Sequence, residues 1–527
     1  MGSVRNILFV MCDQLRWDYL SCYGHPHLRT PNIDALATKG VRFTNAFVQS
    51  ASCGPSRMSY YTGRYVTSHR SFANFVPLPI DELTLGDYLH SHGPPLALVG
   101  KTHVEPNYAA LDRLQIDRQS PGGKLLLAGG FFESDRHDGV LADPGSDEAL
   151  TNQYTSFLKR QGYESPNPWL DFANSAEGEN RDVLSGWHMR YAQLPARVRE
   201  EHSETAYTTE QALAYIRTRG ESPWCLHLSY IKPHWPYVAP APYHAIYTAD
   251  DILPACRSSD ERKDAHPLYA SYLKHQASRE FSRDAVRDTV VPVYMGLVKQ
   301  IDDHLGRLFE FLERSGRMSD TMIVFTSDHG DYLGDHYLGE KELYHDSVNR
   351  VPLIVYDPDA RADGTRGSVC PLLVESIDIV PTILDALGAH LPMEILEGRT
   401  LLPLLCGHKP LDWRSCVYSE LDYSFRGVTR LELGRQPRQC VTFTMRTERW
   451  KYTYVCGFRP ILFDLQSDPD EFRDLGADSG HERIRQTFDG QLFHWLVERK
   501  RRTTVSDAFI TNFLEQSRFS DMAIGQW

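Results

Sequence analysis

Several short stretches of this 527-residue sequence combine side chains that can hold a cation, bind an anion or move a proton. Asp13 follows the apolar run Asn6–Cys12 (NILFVMC) directly, with Gln14 beside it. A buried parallel strand reads this way when it delivers a carboxylate at its C-terminal end. Cys53 and Arg57 lie one helical turn apart in CGPSR, where Pro55 signals a helix start. Lys101 and His103 follow the run Leu96–Gly100, and His234 lies in IKPHWPY, after the run Cys225–Tyr230. Asp328, His329 and Asp331 close the run Met322–Thr326, with Lys341 shortly downstream. Calcium prefers an all-oxygen shell, whereas a histidine ligand suits manganese or another transition ion. Histidine also has the right ordinary pKa for proton transfer near neutrality. Taken singly these residues have plainer readings: Asp13 a cap, Cys53 a buried thiol, Lys101 a solvated charge. His227, inside its apolar run, reads as a core histidine.

The elements that must position these residues alternate. Helices are predicted over Thr30–Gly40, Ser56–Tyr65 and Val291–Ser315, between strands at Asn6–Cys12, Val41–Phe47, Leu96–Gly100, Cys225–Tyr230 and Met322–Thr326. Polar clusters follow the C-terminal ends of four of these strands. That pattern predicts a doubly wound α/β domain whose ligand site lies along those ends. The stretch 105–201 is rich in Gly, Pro, Asp and Asn with little periodicity, and reads as a long insertion that lines a pocket. After about residue 411 the texture changes. Thr442–Thr447 and Trp450–Val455 alternate as adjacent strands, and a helix is predicted near Ile484–Arg501. The organisation expected is a catalytic α/β domain over 1–411 and a small α+β domain over 412–527.

Composition narrows the function. There are 56 Lys+Arg against 69 Asp+Glu, a net charge of −13, which argues against general nucleic-acid binding but allows a small cationic pocket. No stretch approaches the roughly 18 apolar residues of a membrane span. The apolar run near the N-terminus is too short for a signal-peptide core, so a cytoplasmic location is expected. Ten scattered cysteines without a CxxC pair are expected to be reduced thiols.

Cys53-x-Pro55-Ser56-Arg57 followed by Thr62-Gly63-Arg64 resembles the sulfatases of the alkaline phosphatase superfamily. The resemblance implies the alkaline phosphatase-like sulfatase fold: a large, mostly parallel sheet flanked by helices, plus a C-terminal antiparallel sheet. It implies that Cys53 is oxidised to formylglycine by a maturation enzyme. One hydroxyl of the hydrated aldehyde attacks sulfur or phosphorus, and the resulting hemiacetal ester collapses by C–O cleavage. Arg57 would hold the diol. Asp13, Gln14, Asp328 and His329 match the metal ligands, joined by the modified Cys53. The Asp-Gln and Asp-His pairs resemble the phosphonate monoester hydrolase branch, whose members bind manganese, so Mn2+ is expected, with Ca2+ second. Gly100-Lys101-Thr102-His103 is similar to the Gly-Lys-x-His of true sulfatases, whose Lys and His contact sulfate oxygens. The phosphonate branch carries Tyr and Thr there. His234 matches a proton donor near the leaving group, Lys341 a residue that binds substrate or departing oxygen, and Asn74 a substrate contact. The segments Ile377–Leu387, Gly398–Leu405 and FDLQSDPDEFRDL are similar to sulfatase segments.

Three functions compete. Lys101 and His103 favour a sulfatase. Gln14, His329 and the His234 segment favour a phosphonate monoester hydrolase or phosphodiesterase, and both substrates are singly charged tetrahedral anions. A catalytically silent binding protein of the same fold is the remote third. The expected partners are a small anionic ester, the maturation enzyme and further copies of the chain, with the tail Thr504–Trp527 as an exchanged arm.

Overall fold

The computed structural model describes residues 4–90, 93–139, 153–500 and 503–516. Among the described residues ten strands precede residue 411: β1 (Asn6–Asp13), β2 (Val41–Phe47), β3 (Leu96–Gly100), β4 (Phe132–Arg136), β5 (Ser175–Glu177), β6 (Val183–Ser185), β7 (Cys225–Pro233), β8 (Thr321–Ser327), β9 (Arg350–Tyr356) and β10 (Val369–Glu375). Eight of them form one sheet in the order β10-β2-β9-β8-β1-β7-β3-β4, and β5 and β6 pair separately. Only β9 runs against the others, antiparallel to both β8 and β2. The sheet is therefore mixed but mostly parallel, as the alternation of elements predicts.

β1 shows why the sheet is covered on both faces. Its alternate residues Leu8, Val10 and Cys12 pack into one apolar cluster, and Ile7, Phe9 and Met11 into another. The first cluster takes up α1 (Pro31–Lys39), α3 (Glu204–Thr218) and the long α4 (Asp284–Arg314) through Ile33, Leu213, Ile216 and Leu305. The second takes up α2 (Cys53–Thr62) and α5 (Ile379–Ala386) through Met58, Tyr60, Val380 and Ile383. Asp302 of α4 is buried and caps α1 from the side. Its Oδ1 accepts from the backbone of Asn32 and Ile33 at 3.0 and 2.9 Å.

The second helix starts three residues before its predicted start, at Cys53. Pro55 sits within the first turn, where its missing N–H is not needed. The stretch 105–201 holds more regular structure than its composition suggests. It supplies edge strand β4, helices Tyr108–Leu114, Pro121–Leu127 and Gln153–Arg160, and the β5–β6 hairpin. Residues 140–152 of that insertion lie outside the described residues.

The C-terminal sheet is a meander of β11 (Cys416–Asp422), β12 (Val441–Thr447), β13 (Trp450–Val455) and β14 (Ile461–Asp464), all antiparallel. Helix α6 (Glu482–Val497) covers it with Phe488, Leu492 and Trp495. Trp495 stacks on Tyr418 at 4.4 Å and meets Tyr65, just past the end of α2, edge-on at 5.0 Å. Arg499 lies over Tyr65 as well, and Arg64 donates to the Lys500 carbonyl. Helix α6 is thus riveted to the helix that begins with Cys53. Of the tail proposed as an exchanged arm, Asp507–Gln516 is helical and 517–527 lie outside the described residues. Among the described residues no helix is long and apolar enough to cross a membrane.

Candidate active site

Four strand ends and one helix start converge. β1 ends in Asp13, β8 leads into Asp328 and His329, β3 into Lys101, and β7 into His234, while α2 opens on Cys53. This is the carboxyl edge of the parallel strands, where such sheets place their ligands. Two glycines permit the crowding. A Cβ on Gly54 would lie 2.9 Å from the Asn74 Cα, and one on Gly100, at φ +101°, would strike the Ser229 carbonyl.

One ligand atom from each of Asp13, Cys53, Asp328 and His329 lies within 4.8 Å of all the others, and all four residues are buried. Cys53 Sγ is 2.9 Å from Lys341 Nζ, 3.1 Å from His329 Nε2 and 3.6 Å from Asp13 Oδ1. Arg57 spends its guanidinium on the frame around the sulfur. Nε donates to Asp328 Oδ2 at 2.8 Å, Nη2 to Asp13 Oδ2 at 3.3 Å, and Nη1 to Ser229 Oγ at 2.9 Å and the Lys101 carbonyl at 3.1 Å. Lys101 pairs with Asp13 Oδ2. Lys341 also reaches Gln14 Oε1 and His234 Nε2, each at 3.2 Å.

The charges set one another. Burial pushes the Cys53 thiol up, but Lys341, Lys101 and His329, with His103 nearby, hold it well below its ordinary range. Burial and the Cys53 charge push Asp13 up; Lys101, His234 and Arg57 outweigh them and hold it low. Asp328 is raised by burial and by Asp13, against the pull of Arg57. Burial lowers His329, yet Asp328 and the Cys53 charge bring it above its usual value. Burial dominates at His234 and brings it down to about 4, although Asp13 pulls the other way.

The donor set fits a divalent cation. His329 Nδ1 faces the Gly330 carbonyl at 2.8 Å, which leaves Nε2 aimed at Asp13 and Asp328 at 3.8 and 3.7 Å. Gln14 holds φ +66°, and its Nε2 donates to Asp331 Oδ2 at 2.5 Å, so its Oε1 turns toward Lys341 and the cluster. Two carboxylates, an amide oxygen and an imidazole nitrogen make a mixed shell that suits manganese better than calcium. A cation there would relieve the repulsion between Asp13 and Asp328.

The eleven residues to which the resemblance assigns metal, catalytic or substrate roles all fall in or beside this cluster. Asn74 braces it: its Oδ1 accepts from the Gly54 backbone at 2.8 Å and from Ser52 Oγ at 3.1 Å. His103, at φ +57°, is held by Asp138, whose Oδ1 accepts from the backbone of Thr102 and His103 at 2.8 and 3.0 Å. His227 is a core histidine, bonded to the Phe9 carbonyl and Tyr61 at 3.1 Å each. Sequence reasoning missed Asp138, which lies in the aperiodic insertion, and Ser229 and Tyr237, which carry no local signal. Tyr237 donates to Asp331 at 2.6 Å and so steadies the residue that orients Gln14. A cavity of about 1380 Å³ opens over Cys53, lined by Lys101, His103, Asn74, His234 and Lys341 and walled on one side by the insertion.

The sulfatase family model matches residues 5–389, and the C-terminal model of N-sulphoglucosamine sulphohydrolase matches residues 334–498. The multifunctional alkaline phosphatase superfamily protein PehA of Trinickia caryophylli is 33% identical over 95% of this chain and 96% of its own length. An arylsulfatase of Clostridium perfringens is 26% identical over 91% of this chain and 92% of its own. The phosphonate monoester hydrolase of Silicibacter pomeroyi superposes with a TM-score of 0.81 at 29% identity, covering 94% of this chain and 95% of that one.

Proposed function

The chain belongs to the sulfatase family, and on that premise we propose that it is a metal-assisted, formylglycine-dependent hydrolase of sulfate esters. Phosphonate monoesters and phosphodiesters are the second substrate class, favoured by the Gln14 and His329 donors and by the likeness to PehA and to a phosphonate monoester hydrolase. The observation that carries the reading is the Cys53 sulfur, on the cavity floor among Lys341, His329 and two carboxylates.

Asp13, Gln14, Asp328 and His329 would hold the ion, Mn2+ ahead of Ca2+, with the modified residue 53. The bound ion would screen the substrate's charge and acidify the attacking hydroxyl. The hydrated aldehyde would supply that hydroxyl, and its second oxygen allows release without another attack on the anionic centre. Converting Cys53 needs an oxidant that the chain does not supply, so a separate maturation enzyme is implied. The chain's own residues do the rest. Lys341, and Lys101 once drawn from Asp13, neutralise the tetrahedral anion. Arg57 keeps the two carboxylates oriented rather than gripping the nucleophile. His234 is neutral near neutrality and accepts from Lys341, so the pair Lys341–His234 delivers the proton to the leaving oxygen. His103, which lines the cavity with Cys53, contacts the anion or takes the proton that releases product. The domain up to residue 411 carries this chemistry, and the C-terminal sheet with α6 buttresses it.

Two measurements test the reading. Mass spectrometry of the Cys53 peptide, from protein coexpressed with a maturation enzyme, should show formylglycine; an unmodified thiol refutes the nucleophile. Kinetics on an aryl sulfate and an aryl phosphonate monoester should rank sulfate first, and the reverse order overturns the ranking. Lys101→Tyr should move the preference toward the phosphonate.

A further inference from the structure

The mouth of the cavity is aromatic in a way the chemistry at its floor does not require. Among the described residues, nine aromatic side chains are exposed, and five of them line this one cavity: Phe72, Phe75, Tyr108, Phe132 and Phe425. Exposed apolar groups scattered singly need no explanation, but a cluster around one opening does. The ring of Phe425 (57% exposed) stands between Phe72 (38%) and Phe75 (71%), 6.4 Å from each, at interplanar angles of 44° and 50°. These are the spacing and tilt of aromatic groups that attract one another, and they leave ring faces open to a further ring.

Both segments are anchored within one residue of a group that holds the site. Phe75 follows Asn74, whose side chain grips the Gly54 backbone beside Cys53. The loop is closed by Ser71 Oγ donating to the Val76 carbonyl at 2.6 Å. Phe425 precedes Arg426, which pairs with Glu342 at 2.7 Å, next to Lys341. The rings are therefore fixed relative to the nucleophile position and to the Lys341 ammonium, as a subsite requires.

We propose that Phe72, Phe75 and Phe425 form a subsite at the cavity mouth that takes an aromatic alcohol half of the ester. The subsite rests on the reading of the Cys53 centre as an ester hydrolase. It selects a planar, apolar leaving group over a short alkyl one, and gives the C-terminal region a part in substrate choice through Phe425.

The test uses the matured full-length enzyme and the variants Phe75→Ala, Phe425→Ala, Phe75→Leu and Phe425→Leu; the leucines keep apolar volume should the alanines fail to fold. Steady-state kinetics on 2-naphthyl sulfate and ethyl sulfate give a selectivity ratio in kcat/KM. Calorimetric titration with 2-naphthol measures ring binding without turnover. Each alanine is expected to lower the ratio about 5- to 10-fold, with a matching loss of naphthol affinity, and each leucine to give a smaller drop. A ratio and a naphthol affinity both within about twofold of the parent overturn the subsite. So does a drop in molar mass by light scattering in the variants, which would make the rim a contact between copies of the chain. If neither ester turns over yet naphthol binding depends on Phe75 and Phe425, the subsite stands and the hydrolase reading falls.

Discussion

Arg426 lies outside the cavity floor, yet its removal should disable the site. Its Nε reaches both oxygens of Glu342 at 3.0 and 2.9 Å, and its Nη2 reaches Oε1 at 2.7 Å. Glu342 is buried, and without Arg426 its carboxylate keeps the Tyr272 hydroxyl at 2.7 Å. Breaking a buried pair costs about 3–5 kcal/mol. The Arg426 side chain is 37% exposed, and solvent screening brings the figure to about 2 kcal/mol. That matches the strain it restrains. Glu340 and Glu342 flank Lys341 at φ +63° and +79°, and a non-glycine residue in that region costs about 1 kcal/mol. With Arg426→Met the loop Glu340–Glu342 is free to relax, and Lys341 Nζ moves from its place beside Cys53. A displacement of about 1 Å in a reacting group costs up to about 100-fold in rate. Arg426→Met is therefore expected to lower kcat/KM on a sulfate ester about 10- to 100-fold. Arg426→Lys should fall between, because an ammonium is a point charge without the guanidinium fork. In a Glu342→Gln background the same change should cost much less, since no buried charge is then stranded. Activity within twofold of the parent, or an equal loss in both backgrounds, refutes the reasoning.

Asp331→Asn weakens the charge-assisted bond that turns the Gln14 oxygen inward, and metal affinity should fall about 10-fold; unchanged metal content by elemental analysis after dialysis would contradict this. Burial pushes the Glu420 carboxyl up to about 7, against its hydrogen bonds from Thr67. Its pKa is thus raised from the ordinary 4.5, so between these values the folded protein holds a proton that the unfolded chain has released, and stability falls as pH rises. The loss amounts to up to about 3 kcal/mol. Glu420→Gln lacks this term, so its Tm should gain on that of the parent from pH 5 to pH 8; parallel curves would count against the shift.

The parts of the fold legible in the sequence were those whose signal is local. β1, β2, β3 and β13 are short runs bounded by polar residues, and each is found within a residue or two of its expected limits. The site was legible for a related reason: strand ends and a helix start are where the chain changes character, and the chemistry sits at those changes. The strands β9 and β10 lacked an obvious partner in the sequence, and β9 is the one that reverses the sheet. The insertion hid edge strand β4, because Phe132–Arg136 draws its pairing from β3 rather than from its own pattern. Asp138, Tyr237 and Arg426 act through contacts more than 30 residues away in the chain, which no local spacing encodes.

The docking of α6 onto the end of α2 has a consequence in time. Cys53 is 1% exposed once the chain is folded, and all ten residues of its helix are buried. The maturation enzyme proposed above would have to reach this side chain before the molecule closes. Trp495 and Arg499, which press on Tyr65 past the end of α2, leave the ribosome roughly 440 residues after Cys53, about 20–90 s later at ~5–20 residues per second. On that proposal, the rivet that completes the structure would also end the interval in which residue 53 can be changed. A shift in the pace of synthesis, or a truncation that removes α6, would alter the fraction of chains converted as well as their stability.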